Sequence, residues 1–341
     1  MTLYQVNRIL YKQPFLNQFV RGIHKHSSVS KVLYPLENRK LLKVSGHDAT
    51  VFLQGLITND MRHFEEGHNS MYAMFLNNKG RVLYDTLIHK WQDGNVFMIE
   101  CDKDVLIFLQ KHLRIYKLKR KVEIADASKD FNLWALISNA ETVLDCEGDK
   151  NSKINIYKDP RLVDLGSRIL SPASMIRDEF QGTVGKDTLI ENSGEGYKYL
   201  RYKLGVSEGA EDLPPGSCFP LEANCDYLHG VSFHKGCYIG QELTARVHHT
   251  GVVRKRIMPL KFNKAINDDL EKDSVISTSN NTKSNVGKLR SFVNDYGLGL
   301  VRIKEGLEAT SLVIGNYEVE VVKPTWWPIE APKEKVTAAR D

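Results

Sequence analysis

A change of pattern at Thr250-Gly251 is the sequence feature that most constrains the fold. Before it, segments of strand composition alternate with single amphipathic helices, a pattern typical of an α+β domain. After it, short strand-like segments follow one another without a strong helix, which favours a small β-barrel or sandwich. These segments are 252–262, 285–292, 297–303 and 317–322. The 341 residues leave room for two compact domains. We therefore predict an α+β domain over 32–249, a barrel over 250–330 and a polar tail over 331–341.

The first half carries most of the local signals. Hydrophobic patterning predicts strands at 36–44, 71–76, 82–91, 95–100, 122–124, 131–138 and 164–170. Helices are expected after Ser45, across 106–116, across 173–181 and across 197–204. Ser45 and Asp48 match a capping box, and Gly205 is expected to stop the last of these helices. In the second half, the polar segment 263–284 is expected to be a mobile loop.

The first 31 residues are predicted to be a mitochondrial presequence. They are basic, amphipathic and free of acidic residues, and they lack the apolar core of a signal peptide. A disordered basic tail is the alternative. Because of this segment we expect the protein in the mitochondrial matrix.

Charge and hydropathy limit the classes of partner. Five of the 47 basic residues lie within the first 36 positions, and the 42 that remain equal the 42 acidic residues. A nucleic-acid-binding domain normally keeps a basic surplus in its folded part, so we expect no nucleic-acid partner. No apolar run reaches the 18 residues that a membrane-spanning helix needs, so no span is expected.

A basic run follows the expected helix at 106–116. It consists of Lys111, Arg114, Lys117, Lys119, Arg120 and Lys121. We interpret this run as the solvated end of a helix rather than as a binding patch.

One of the five cysteines stands in an unusual setting. Lys235-Gly-Cys237-Tyr-Ile-Gly-Gln-Glu242 places Cys237 between glycines, with a lysine two residues before it. A thiol reacts or binds metal as thiolate, which a neighbouring cation favours. The alternative is a buried cysteine that packs as a small hydrophobic residue. The spacing of Cys218, Cys225 and Cys237 lacks the C-x2-C pattern of zinc and ferredoxin sites, which argues against a self-contained metal cage.

This eight-residue stretch resembles the K-G-C-Y-x-G-Q-E motif of the YgfZ family, the folate-binding relatives of the glycine-cleavage T-protein (aminomethyltransferase). Four further stretches are similar to other parts of that family. They are Val44-Ser-Gly46 with Asp48-Ala49, Phe52-Leu-Gln-Gly55 with Thr58-Asn-Asp60, Gly287-Lys-Leu with Gly297-Leu-Gly-Leu-Val-Arg302, and Pro324-Thr-Trp-Trp-Pro328. The resemblance covers most of 36–328 and is strongest to mitochondrial iron–sulfur assembly members.

The resemblance implies a T-protein-like N-terminal domain whose segments surround a folate-sized opening. It also implies a role in late [4Fe–4S] maturation, with A-type scaffold proteins and [4Fe–4S] client enzymes as partners. Cys237 is then the expected ligand of a transient cluster shared with a partner, since one chain offers too few thiolates. Tetrahydrofolate is a possible cofactor. Its expected binding residues are Arg81, Asp85, Arg201, Lys235, Gly240, Gln241 and Glu242.

One sequence difference from the T-protein helps to choose between two possible functions. Where the T-protein helix has R-x-E-x-G, this chain has Arg201-Tyr-Lys203-Leu-Gly205, so a lysine replaces the carboxylate. We therefore favour an assembly factor over the alternative, a tetrahydrofolate-dependent aminomethyl transferase. For Asp85 the alternative is a strand-face acid paired with Arg81, and for Arg201 a helix-surface charge. Three histidines, His234, His248 and His249, are expected to be structural or to face a partner.

Overall fold

The computed structural model describes residues 31–91, 94–138, 153–266, 270–281 and 283–328. The presequence predicted for 1–31, apart from Lys31, and the tail predicted for 331–341 lie outside these ranges. The strands in chain order are β1 Lys31–Pro35, β2 Arg39–Ser45, β3 Ser70–Leu76, β4 Val82–Lys90, β5 Val96–Asp102, β6 Glu123–Asp126, β7 Phe131–Ser138, β8 Asn155–Lys158, β9 Ser167–Pro172, β10 Thr188–Ile190, β11 Lys255–Phe262, β12 Val275–Thr278, β13 Gly287–Val293, β14 Tyr296–Arg302, β15 Leu312–Ile314 and β16 Tyr317–Val321.

The helices are short and separate the strands. In chain order the α-helices are α1 Ala49–Gln54, α2 Leu106–Lys117, α3 Arg177–Val184, α4 Glu195–Leu204, α5 Gly209–Asp212, α6 Gln241–Thr250 and α7 Ile303–Glu308. Single 3₁₀ turns occur at Met61–Phe64, Lys103–Val105 and Val163–Leu165. None of the helices within the described ranges is long and apolar enough to cross a membrane.

Two five-stranded sheets and a closed barrel make up the fold. One sheet has the order β3-β4-β5-β2-β6, and the other has the order β10-β1-β7-β9-β8. All neighbours are antiparallel except β1 and β10. The barrel has the order β11-β14-β13-β12-β15-β16 and closes between β16 and β11. The predicted α+β class with a C-terminal barrel is therefore confirmed.

The helices pack on the sheets through their apolar faces. Leu109 and Leu113 lie on the inner face of α2 and are fully buried in one core cluster with α1 and the first sheet. A second cluster joins the two sheets to α4 and extends to Ile257 and Leu298 of the barrel. Helix α4 ends at Gly205, which has φ +78°, as predicted.

The structure corrects three local predictions. Ser45 is the last residue of β2, and the residue before α1 is Asp48, whose carboxylate accepts a hydrogen bond from the backbone N–H of Lys121. The capping box was wrong because a distant backbone group competes for that carboxylate. The segment 263–284 contains β12, which pairs with β13 and β15. Strand β1 begins at Lys31, the last residue of the predicted presequence.

Candidate functional site

Cys237 is the exposed thiol among the four cysteines that the structure describes. Cys101, Cys218 and Cys225 are buried, and burial raises the pKa of Cys101 and Cys218 to about 12. A buried thiol of high pKa is chemically inert. At Gly236, the residue before Cys237, a Cβ would meet no atom within 4 Å. The packed-core alternative is therefore wrong for Cys237.

Lys235 anchors the motif from inside the protein. Its ammonium donates hydrogen bonds to the carbonyls of Gln54, Ile57 and Asn59, at 2.8, 2.6 and 2.6 Å. These carbonyls end α1 and form the following loop, where a helix leaves its last acceptors without intrahelical donors. Burial lowers the pKa of Lys235 to about 7. The three donors of this side chain are all occupied by backbone, so its role here is structural rather than folate-binding.

Gly240 packs closely against the turn between β3 and β4. Its φ is +79°, and a Cβ at this position would lie 2.4 Å from the carbonyl oxygen of Asn77 and 2.8 Å from Cβ of Leu76. Only a residue without a Cβ combines that φ with such a close approach. Gly240 directly precedes α6, so this contact sets where the helix begins.

The two residues after Gly240 differ in exposure. Glu242 forms an ion pair with Arg246 one turn later, and its side chain is 84% exposed. Gln241 is the half-buried first residue of α6. The carboxylate of Glu242, predicted to help bind tetrahydrofolate, thus lies on the outer surface of the helix.

Aromatic rings surround the exposed motif loop. The ring of Phe233 stacks on that of His248, with centroids 3.4 Å apart and planes 9° from parallel. His249 contacts His248 edge-on at 5.1 Å. His234 is exposed as well. The loop thus presents a thiol, imidazoles and a phenyl ring on one short stretch of chain.

Among the described residues, no set of neighbouring ligands completes a metal site at Cys237. Within the described residues, one group of three His, Cys, Asp or Glu side chains brings its ligand atoms within 4.8 Å of one another, and it consists of His63, Glu66 and His68. In that group His63 already pairs with Glu66 at 2.9 Å. Cys237 belongs to no such group in the part of the chain that the structure covers.

A buried network of charges joins the two sheets. Glu208 accepts hydrogen bonds from Arg161 at 2.7 Å and from Arg168 at 2.5 Å. Glu100 accepts from Arg39 at 2.9 Å and from Arg168 at 3.3 Å. Burial by itself would raise the pKa of Glu208, but the arginines hold it well below its usual range. The arginines therefore keep this carboxylate ionised inside the protein.

Asp85 belongs to this network and not to Arg81. Its Oδ2 lies 3.5 Å from Arg39, and its Oδ1 accepts the backbone N–H of Gly209 at 3.0 Å. Burial raises the pKa of Asp85, although Arg39 opposes the change. Arg81 lies over the ring of Phe219, at 4.5 Å from its centroid. The alternative pairing of Asp85 with Arg81 was wrong, since the strand turns the two side chains to different partners.

Arg201 also lies in the interior, so the helix-surface interpretation was wrong. It donates hydrogen bonds to Asp212 at 2.8 Å and to the carbonyl of Val206 at 3.0 Å. Lys203, at the position of the missing carboxylate, is half-buried, and burial lowers its pKa. The inward residue of this helix is therefore a cation already neutralised within the chain.

The seven residues expected to hold tetrahydrofolate do not form one face. Lys235 and Arg201 are occupied by internal partners, and Glu242 is on the surface. Asp85 keeps one oxygen, Oδ2, without a hydrogen bond among the described residues, but the residue is only 4% exposed. A pterin that contacts that oxygen would require the buried network to open.

Sequence reasoning missed most of this network. Arg39, Arg161, Arg168 and Glu208 are buried, yet in the sequence they look like ordinary surface charges. Arg168 at the start of an apolar strand was the one available signal, because a charged residue there must either leave the strand face or find a partner.

Family comparisons agree with both halves of the fold. Residues 11–145 match the family model described as the GCVT N-terminal domain, and residues 254–329 match the CAF17 C-terminal beta-barrel domain. The crystal structure of aminomethyltransferase T of the glycine cleavage system from Bartonella henselae has a similar fold. Its TM-score is 0.69 at 16% identity, covering 90% of this chain and 87% of that one. At that identity the likeness shows the fold alone.

Relatives of higher identity cover nearly the whole chain. The mouse protein named iron–sulfur cluster assembly factor IBA57, mitochondrial, is 36% identical over 91% of this chain and 89% of its own length. The human protein of the same name is 35% identical over 86% of this chain and 85% of its own length. A homologue from Mycosarcoma maydis is 39% identical over 70% of this chain and 59% of its own length. The chain therefore belongs to the IBA57 family of mitochondrial iron–sulfur cluster assembly factors.

Proposed function

We propose that this protein assembles iron–sulfur clusters by supplying Cys237 as one ligand of a cluster held jointly with a second protein. The observation that carries the proposal is the exposure of Cys237 while Cys101, Cys218 and Cys225 are buried. Iron–sulfur clusters are normally held by four thiolates. One exposed thiolate, with no ligand group around it among the described residues, requires ligands from elsewhere.

The partner that suits this arrangement is an A-type iron–sulfur scaffold protein of the mitochondrial matrix. Such a partner brings the remaining thiolates, and the shared cluster is cargo that passes on to [4Fe–4S] client enzymes. On this chain, Lys235 and Gly240 hold the loop in place from both sides of Cys237. The sulfur is therefore presented at a fixed position, which lowers the ordering cost of forming the joint complex.

Mixing the purified chain with an A-type scaffold under anaerobic conditions tests the proposal. The chain alone is expected to hold little iron, and the mixture is expected to gain the visible absorbance and circular dichroism of a cluster. Cys237→Ser should abolish this gain, because a hydroxyl is a far weaker iron ligand than a thiolate.

The matched control is Gly236→Ala. A Cβ at Gly236 meets no atom within 4 Å, so this variant changes the neighbouring residue and leaves the sulfur in place. It should form the shared cluster as the unmodified chain does. A cluster spectrum that survives Cys237→Ser unchanged would show that the sulfur is not a ligand.

Tetrahydrofolate stays a prediction with one supporting feature, the spare acceptor at Asp85 Oδ2. Equilibrium titration with tetrahydrofolate, for the unmodified chain and for Asp85→Asn, tests it separately from cluster sharing. Saturable binding lost in Asp85→Asn would support the prediction, together with the alternative aminomethyl transferase. If tetrahydrofolate does not bind, or binds the unmodified chain and Asp85→Asn equally, the result argues against the folate prediction and against the aminomethyl transferase.

A further inference from the structure

The outer face of α2 is apolar although it is exposed. Leu109 and Leu113 bury the inner face of this helix. On the opposite side Ile107, Phe108 and Ile115 are 74%, 61% and 59% exposed. Residues three and four apart share a helix face, so 107, 111, 114 and 115 form one continuous outer stripe, and Leu118 follows directly after the helix. Large aliphatic side chains gathered on such a stripe indicate an interaction surface.

The stripe and the residues that follow the helix are strongly basic, and the exposed apolar side chains beside these bases favour a binding surface over the solvated helix end expected from the sequence. The segment from Val105 to Val122 contains six lysines and arginines and no acidic residue. They are Lys111, Arg114, Lys117, Lys119, Arg120 and Lys121. None of the six forms an ion pair within the described residues, although ion pairs are present on other parts of the surface. Leu118 lies among these bases and is 85% exposed. In the part of the chain that the structure describes, these six bases therefore have no ion-pair partner, and Ile107, Phe108 and Ile115 are largely uncovered.

We propose that the outer face of α2 docks on a membrane surface rich in anionic phospholipids. The bases match the phosphate groups in charge, and the apolar side chains beside them reach past the headgroups toward the acyl chains. A nucleic acid would satisfy the bases but would leave the exposed Ile107, Ile115 and Leu118 in water. This face uses no residue of the Cys237 loop, so the inference does not depend on the proposed function.

Flotation of the full chain with lipid vesicles tests the proposal. The vesicles are pure phosphatidylcholine, or about three parts phosphatidylcholine to one part phosphatidylglycerol. The chain should bind the anionic vesicles and not the neutral ones. Lys111→Gln with Lys119→Gln should weaken binding about thirtyfold, since each base near an anionic surface contributes about fivefold. Ile107→Ser with Ile115→Ser should weaken it at least roughly tenfold, because buried methylenes are lost.

Matched controls separate this face from general surface effects. Val163→Ser with Ile176→Ser removes two aliphatic side chains that are 79% and 66% exposed at other positions. Lys129→Gln with Lys186→Gln removes two exposed lysines elsewhere. Both controls should bind as the unmodified chain does. All variants carry the same basic segment 1–31, so any binding by that segment is common to them.

Three outcomes would overturn the proposal. The first is no binding to anionic vesicles by the full chain, and the second is equal weakening by the α2 variants and their controls. The third is binding that falls with loss of the bases but not with loss of Ile107 and Ile115, which would assign the face to an acidic macromolecule. A tryptophan placed by Phe108→Trp should show a blue-shifted emission with anionic vesicles only, whereas Val163→Trp should not.

Discussion

Two glycines of the Cys237 motif should respond in opposite directions to the same substitution. In Gly240→Ala, the new Cβ meets the Asn77 carbonyl at 2.4 Å and Cβ of Leu76 at 2.8 Å, with φ held at +79°. A left-handed conformation costs an alanine about 1–2 kcal/mol, and overpacking costs about 1–3 kcal/mol more. We expect a loss of about 2–5 kcal/mol in the free energy of unfolding. Gly236→Ala has open space and no positive φ, so it should gain about 0.4–1 kcal/mol by restricting the unfolded chain.

Equilibrium unfolding in urea, followed by circular dichroism, measures both variants against the unmodified chain. Because the chain contains an α+β region and a barrel, unfolding should also be followed by tryptophan fluorescence. The free energies of unfolding of the variants and the unmodified chain are then compared only if the two signals give the same transition. Gly240→Ala should also lose part of its cluster sharing, since relief of the clash moves the start of α6 and the loop before it. If both alanines leave the unfolding midpoint unchanged, the close contact between Gly240 and the β3–β4 turn is refuted.

Further predictions concern the buried groups and the free thiol. Lys235→Met should lower the free energy of unfolding by about 2–5 kcal/mol, because it leaves three carbonyls without a donor. Since burial lowers the pKa of Lys235 to about 7, the unfolded chain binds more protons above that pH. Stability should therefore rise from about pH 7 toward pH 10 in the unmodified chain and lack this rise in Lys235→Met, as urea titrations at several pH values would show. Glu208→Gln should cost about 3–5 kcal/mol, because it removes the negative charge that Arg161 and Arg168 share and leaves Asp159 and Glu100 as their remaining charge partners. A loss below about 1 kcal/mol in urea unfolding would contradict the network. Iodoacetamide should modify Cys237 before Cys101, Cys218 and Cys225 in the folded chain, and peptide mass spectrometry reads the order directly.

Local signals in the sequence predicted the elements well where the pattern was long. Leu109 and Leu113 lie on the buried face of α2, as their spacing required. Gly205 ends α4 in the left-handed region. The short strands β1, β8, β10, β12 and β15 were missed, because three to five residues carry too little periodicity and their stability comes from distant partners. Lys31, for example, pairs with Ser138 and Thr188.

The candidate site was likewise predictable from the sequence only in part. The motif 235–242 identified Cys237 because glycines and a lysine surround it in the sequence itself. The contacts of Lys235 could not be predicted, since its three acceptors are more than 170 residues away along the chain. Asp85 and Arg201 were predicted as tetrahydrofolate-binding residues, and their partners Arg39 and Asp212 follow from the packing of separate elements.

By itself, the sequence determined the boundary near residue 250, the helices with long apolar spacing and the one cysteine set in a glycine-rich loop. These features depend on residues close together in the chain, whose backbone preferences and periodicity act locally. Only the tertiary structure decided which thiol reaches solvent and which charges lie inside. Arg39 and Glu100 are 61 positions apart and Arg168 and Glu100 are 68 apart, so neither pairing exists until the sheets assemble. A charge can be buried only where distant strands bring it an opposite charge, because the interior offers no water in place of that partner.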